Sequence, residues 1–166
     1  TLKDSKDRSF FKKELGAVEL PTGTLRLKNK KGLDALEGFK TGKWWVQGIS
    51  SAMPVKLLGN IYGLEVLDLF SAPGGKAMQL ISAGARVTCL DLSLKRLETL
   101  KQNLCRMNMK AEIIQANIER FRTEKKYDII VIDVPCSSSG TFRKNKDLLH
   151  LNPNERVYSL KKIQDQ

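Results

Sequence analysis

From residue 64 onward, short apolar runs alternate with stretches whose apolar positions recur every three or four residues, and this alternation predicts the elements of the chain. Residues 64–70 read as a strand, 76–83 as a helix and 86–91 as a second strand. Leu94, Leu97, Leu100, Leu104 and Met107 share one helical face, which predicts a helix over 93–107 with Ser93 as its cap. Residues 111–115 form a third predicted strand. Residues 127–133 form the fourth and most apolar one, the pattern of a strand covered on both faces. Strands alternating with helices require right-handed parallel crossovers. The expected fold is therefore α/β: a Rossmann-like, doubly wound, mostly parallel sheet.

Before residue 60 the pattern is less regular. Strand-like runs at 24–28 and 44–47 are separated by turns at Gly32, Gly38 and Gly42. Ser50 or Ser51 is expected to cap a helix running to Leu58, with Pro54 in its first turn and Gly59 at its end. The expected organisation is a basic approach segment, 1–60, packed on a core, 61–166. The chain begins at Thr1, its last residues read as a helix without a stop signal, and a four-strand sheet would leave 127–133 at an edge. These features lead us to expect a fragment whose sheet is truncated before its last strands.

At 166 residues, 41% hydrophobic and 28% charged, the chain suits one folded domain and excludes disorder as the main reading. No run approaches the roughly 18 apolar residues of a membrane helix, and 1–13 is charged with no signal core, so a cytoplasmic location is expected. Cys89, Cys105 and Cys136 lack CxxC spacing and His150 is the only histidine, so neither a disulfide nor a metal site is expected. Charge changes the picture most. The 29 Lys+Arg against 18 Asp+Glu give +11, which points to a polyanionic partner, foremost nucleic acid; a basic soluble surface is the plainer alternative.

Ligands of open α/β sheets sit beyond the carboxyl ends of the strands. There the sequence places Phe70-Ser71-Ala72-Pro73-Gly74-Gly75-Lys76, a tight glycine turn opening onto a helix, whose first amides favour an anionic group. It matches neither GxGxxG nor GxxxxGK[ST], which disfavours a dinucleotide dehydrogenase and a phosphate-loop enzyme alike. Asp91 ends the second strand about twenty residues later, where a carboxylate can accept bonds from two ribose hydroxyls. Asn117 follows the third strand and reads either as an adenine contact or as a simple turn residue. After the fourth comes Asp133-Val134-Pro135-Cys136-Ser137, then Arg143 and Lys144, cations that would lower the pKa of a nearby thiol. Cys136 is otherwise a small hydrophobe, and Cys89 and Cys105 are expected to serve packing.

Together, Leu67-Asp68-Leu69-Phe70-Ser71-Ala72-Pro73-Gly74-Gly75-Lys76, Asp91 and Asp133-Val134-Pro135-Cys136-Ser137 resemble the Sun family of RNA cytosine-5 methyltransferases, nearest to its bacterial branch acting on small-subunit ribosomal RNA. The likeness extends from about Leu36 to the C-terminus. It implies a Rossmann-like methyltransferase fold and S-adenosylmethionine as cofactor. Phe70 to Lys76 would wrap its methionine part and sugar, Asp91 would hold the ribose, Asn117 would lie against the adenine, and Asp133 would sit near the methyl donor and target base. The implied chemistry is addition of a cysteine thiolate to C6 of cytosine, methyl transfer to C5, and release assisted by Cys136.

Three departures from the family pattern stand out: no Thr-Cys follows Gln164, Asn117 replaces an acid, and Gly48 replaces another. The nucleophile is accordingly expected beyond this chain, and the fragment alone is expected to be inactive. A competing expectation is a catalytically silent RNA-binding module using the same cleft, with Trp44 and Trp45 as stacking platforms; otherwise one of these rings lies in the core and one against the surface. In either case Lys43, Arg143 and Lys144, with the Lys28-Asn29-Lys30-Lys31 run, are expected to guide RNA.

Overall fold

The structure is a computed structural model that describes residues 1–27, 32–134, 136, 158, 160 and 161. It falls into two compact units, Thr1–Val131 and Ile132–Gln166. The first opens with α1 (Arg8–Glu14) and a two-residue antiparallel ladder of β1 (Val18–Glu19) and β2 (Leu25–Arg26). Next come α2 (Ile49–Leu57), β3 (Glu65–Leu69), α3 (Gly75–Ser82), β4 (Arg86–Asp91), α4 (Leu94–Arg106), β5 (Glu112–Gln115) and β6 (Ile129–Ile132).

The main sheet has the order β5-β4-β3-β6, with β3 parallel to β4 and β4 parallel to β5. The chain therefore steps in one direction from β3 to β5 and then returns to the other side of β3. That reversal beside β3 is the topological switch at which such sheets bind ligands. On one face Val66, Val87 and Cys89 pack with Met78 and Leu80 of α3 and Leu97, Leu100 and Leu104 of α4. On the other, Leu67, Leu69 and Leu90 pack with Phe70, Ile114, Phe121 and Tyr127. The period-two alternation of a strand buried on both faces places these two sets.

The four main-sheet strands, α3 and α4 lie where the periodicity puts them. Ser93 caps α4, its Oγ accepting from Arg96 N at 3.4 Å. Elsewhere the chain departs from expectation. Residues 44–47 form no strand; Trp44 makes only an isolated bridge to Leu2. α2 starts at Ile49 with extended Gly48 as N-cap, so neither serine caps it, and Pro54 falls in the second turn. Ile130 and Ile132 of β6 are 55% and 59% exposed, because no described element covers that face of the strand.

The approach segment is clamped against the end of α4. Arg106 Nη1 donates to Phe39 O at 2.6 Å and to Trp44 O at 3.2 Å, and its guanidinium lies 4.2 Å over the Phe39 ring. Gly42, with φ +68°, crosses so close that an added Cβ would stand 2.1 Å from Arg106 O. A side chain there would force the two backbones apart. Among the described residues no helix is long and apolar enough to cross a membrane.

Candidate functional site

β3 ends at Leu69, and Phe70 turns the chain sharply at φ 57°, a left-handed conformation uncommon for a large side chain. Four residues then build a compact bend. Ser71 N donates to Leu90 O at 3.2 Å and so ties the bend to β4, while Gly74 N donates to Ser71 O at 2.8 Å and closes it. The Ala72–Pro73 peptide is cis. Gly74, at φ +104°, is the N-cap of α3 and brings no side-chain oxygen to the first amides of the helix. Those amides therefore start the helix without a side-chain cap.

Asp91 closes the site from the neighbouring strand. It is 2% exposed, with Oδ2 accepting from Ala72 N at 3.3 Å and Oδ1 from Ser93 N at 3.0 Å. Arg96 of α4 pairs its Nη1 with Asp91 Oδ2 at 3.3 Å and donates Nη2 to Ala72 O. A buried carboxylate is tolerable only with such charge and hydrogen-bond compensation. The glycine bend and the acid that sequence places twenty residues apart thus meet directly.

Asn117 follows β5 beside Asp91, since Ala116 N donates to Asp91 O at 3.3 Å. Its Oδ1 accepts from Glu119 N at 2.9 Å, the geometry of a turn residue. Lys76 Nζ reaches Ser51 Oγ of α2 at 3.1 Å. Gln47 joins the approach segment to α3: Trp45 Nε1 donates to its Oε1 at 3.1 Å, and its Nε2 donates to Gln79 Oε1 at 2.9 Å. Gln79 in turn donates to Ala52 O at 3.0 Å. Neither Arg96 nor Gln79 is expected at the site from the sequence. Arg96 carries a faint signal, a cation one turn past a strand-end acid, whereas Gln79 carries none.

Trp44 and Trp45 are both buried, at 4% and 2% exposure. Trp44 donates its Nε1 to Glu37 O at 2.8 Å and tilts against Phe39. Neither ring is open for base stacking, and the expectation of one surface ring is corrected along with the stacking role. Cys89 is buried, and burial, with Asp68 nearby, pushes its thiol up to about 12, so it stays protonated at neutral pH. Cys105, expected inside, is exposed on the outer side of α4. Lys43 is exposed. Asp133 and Cys136 belong to the second unit and are both exposed. Pro135, Ser137, Arg143, Lys144, His150 and the 28–31 run lie outside the described residues.

The bend thus brings together a strand-end acid and the uncapped amides that open α3. Residues 57–166 match the model of the family described as 16S rRNA methyltransferase RsmB/F. Ribosomal RNA small subunit methyltransferase B of Citrobacter koseri is 34% identical over 147 residues, covering 86% of this chain and 34% of that protein. The protein of the same name from Erwinia tasmaniensis is 33% identical, with the same coverage. The chain thus spans about a third of the length of these curated relatives. Among solved structures, PH0851 superposes with a TM-score of 0.85 at 25% identity, covering 98% of this chain and 40% of that one. NSun6 from Pyrococcus horikoshii with SFG superposes with a TM-score of 0.68 at 23% identity, covering 81% and 35%. The latter likeness is one of fold.

Proposed function

The chain belongs to the 16S rRNA methyltransferase RsmB/F family, and from that membership we propose that it forms the S-adenosylmethionine site of an enzyme that methylates C5 of a cytosine in ribosomal RNA. The bound cofactor supplies an electrophilic sulfonium methyl group. Phe70 to Lys76 enclose its methionine part and sugar, with the amides that open α3 meeting the carboxylate. Asp91 accepts from the ribose hydroxyls, held in orientation by Ser93 N, Ala72 N and Arg96. Asn117 borders the adenine.

Aromatic C5 is too weakly nucleophilic to take a methyl group unaided, so a cysteine thiolate adds to C6 and is expelled after a base removes the C5 proton. Asp133 and Cys136 take their parts from the family motif, Asp133 beside the methyl donor and base, Cys136 in release of product. The adding thiolate is a cysteine distinct from Cys136. Cys89 is unsuited to that step because its buried thiol stays protonated. RNA is guided by Lys43, Arg143 and Lys144, with 1–60 as a basic approach segment and 61–166 as the cofactor-binding core.

The observation that carries this reading is the direct bond between Ala72 N of the bend and the 2%-exposed carboxylate of Asp91. Calorimetry with S-adenosylhomocysteine tests it. Saturable binding is expected, weakened about 100-fold or more in Asp91→Ala through loss of two charge-assisted bonds. Absence of binding, or equal affinity in the variant, would overturn it.

A further inference from the structure

We propose that Asn103, on a helix remote in sequence from the bend, is a positioning residue for the cofactor loop; the inference rests on the reading of that loop given above. Arg96, Leu100 and Asn103 stand four and three residues apart on α4 and so share one face. All three meet the bend. Arg96 donates to Ala72 O, the side chain of Leu100 fills the space behind Gly74, and Asn103 Nδ2 donates to Pro73 O at 2.9 Å. Two consecutive carbonyls of the loop are thereby turned toward α4.

The second of these matters most, because a trans peptide is planar and its C=O and N–H point in opposite directions. Holding Pro73 O toward α4 directs Gly74 N–H the other way, into its 2.8 Å bond with Ser71 O. Asn103 and Ser71 thus grip one peptide plane from opposite sides. That plane sets the left-handed φ of +104° at Gly74 and, through it, the direction in which α3 and its first amides set out. Without Asn103 the plane keeps a single anchor next to glycine, the residue most tolerant of rotation. The bond lies near solvent, so its removal should cost the fold little while misaligning the amides that receive the cofactor.

The test compares Asn103→Asp, isosteric but with an acceptor facing a carbonyl, with Asn103→Leu and with Asn103→Gln, which keeps the donor. Each is measured for S-adenosylhomocysteine affinity by calorimetry and for melting midpoint. The first two should bind about 10-fold more weakly, with midpoints within about 3 °C of wild type, and Asn103→Gln should recover most of the affinity. Wild-type binding with unchanged affinity in all variants would overturn the positioning role alone, as would a midpoint loss without an affinity change. Absence of binding by the wild type would overturn the loop reading and this inference together.

Discussion

At the carboxyl ends of β3 and β4 the polar groups are mostly backbone amides and carbonyls clamped by single side chains around Asp91, which is buried there together with Asp68. At the amino ends of the same strands and of β5, Glu65, Arg86, Glu112 and Lys125 meet as ion pairs open to solvent. Lys125 Nζ lies 3.0 Å from Glu112 Oε2, 3.3 Å from Glu65 Oε2 and 3.1 Å from Thr88 Oγ1, and Arg86 Nε pairs with Glu65 Oε1. Both ends count as polar networks, yet they differ in what a lost contact costs. An exposed pair gives up a Coulomb term that water largely replaces, whereas a turned peptide or an uncovered buried acid has no such substitute. The amino end therefore tolerates variation, and the carboxyl end fixes a shape.

The largest expected effect lies at the fixed end. Gly74→Ala forces a Cβ to within 2.4 Å of Leu100 Cδ1, on a residue held at φ +104°, and Leu100 is fully buried and cannot give way cheaply. Strain and overpacking together should destabilise by about 2–4 kcal/mol and lower the melting midpoint by about 5–10 °C. Combining Gly74→Ala with Leu100→Ala removes the collision but leaves the backbone strain. The double variant should therefore fall less than the sum of the two single losses, as calorimetric melting can measure. Strict additivity would mean that Leu100 does not set the shape of the bend.

The difference between the two ends also explains what the sequence made legible. Strands 86–91 and 112–115 and helix 94–106 announce themselves through periodicity and through Ser93, because these are local signals. The bend and Asp91 were legible for a similar reason: strand ends in a parallel sheet are brought to one edge whatever else the chain does. Asn103 was not, and Arg96 only faintly through Asp91, since their partners on the bend are carbonyls about 30 and 24 residues away, and a carbonyl has no residue identity to read. Trp44 and Trp45 misled because aromatic rings serve cores and nucleic acids equally well, and only the Glu37 and Gln47 acceptors decide between the two. The start of α2 departs from the serine-cap expectation because extended Gly48 supplies the cap position, so the serines that follow it are inside the helix.

A smaller effect is expected at the open end. Lys125→Met removes the cation shared by Glu65, Glu112 and Thr88, on a side chain 40% exposed. The melting midpoint should drop by about 2 °C or less, and the difference should fade in about 0.5 M sodium chloride, where exposed pairs are screened. A drop as large as that of Gly74→Ala, persisting in salt, would erase the contrast between the ends.

The smallest effect concerns pH. Glu65 is held below its ordinary value of 4.5 first by its hydrogen bond from Arg86 and then by Lys125; Glu112 is held below 4.5 first by Lys125 and then by Thr88. Around pH 4 the unfolded chain therefore binds more protons at these two sites than the folded one does. Their contribution is complete above the unfolded value and disappears as pH falls through the depressed folded values. In Glu65→Gln with Glu112→Gln, the acid-side decline of the denaturation midpoint, followed from about pH 6 to pH 3, should become shallower because the midpoint falls slightly near pH 6 and stays the same near pH 3. An unaltered slope would mean that the exposed pairs carry no pH-dependent stability at all.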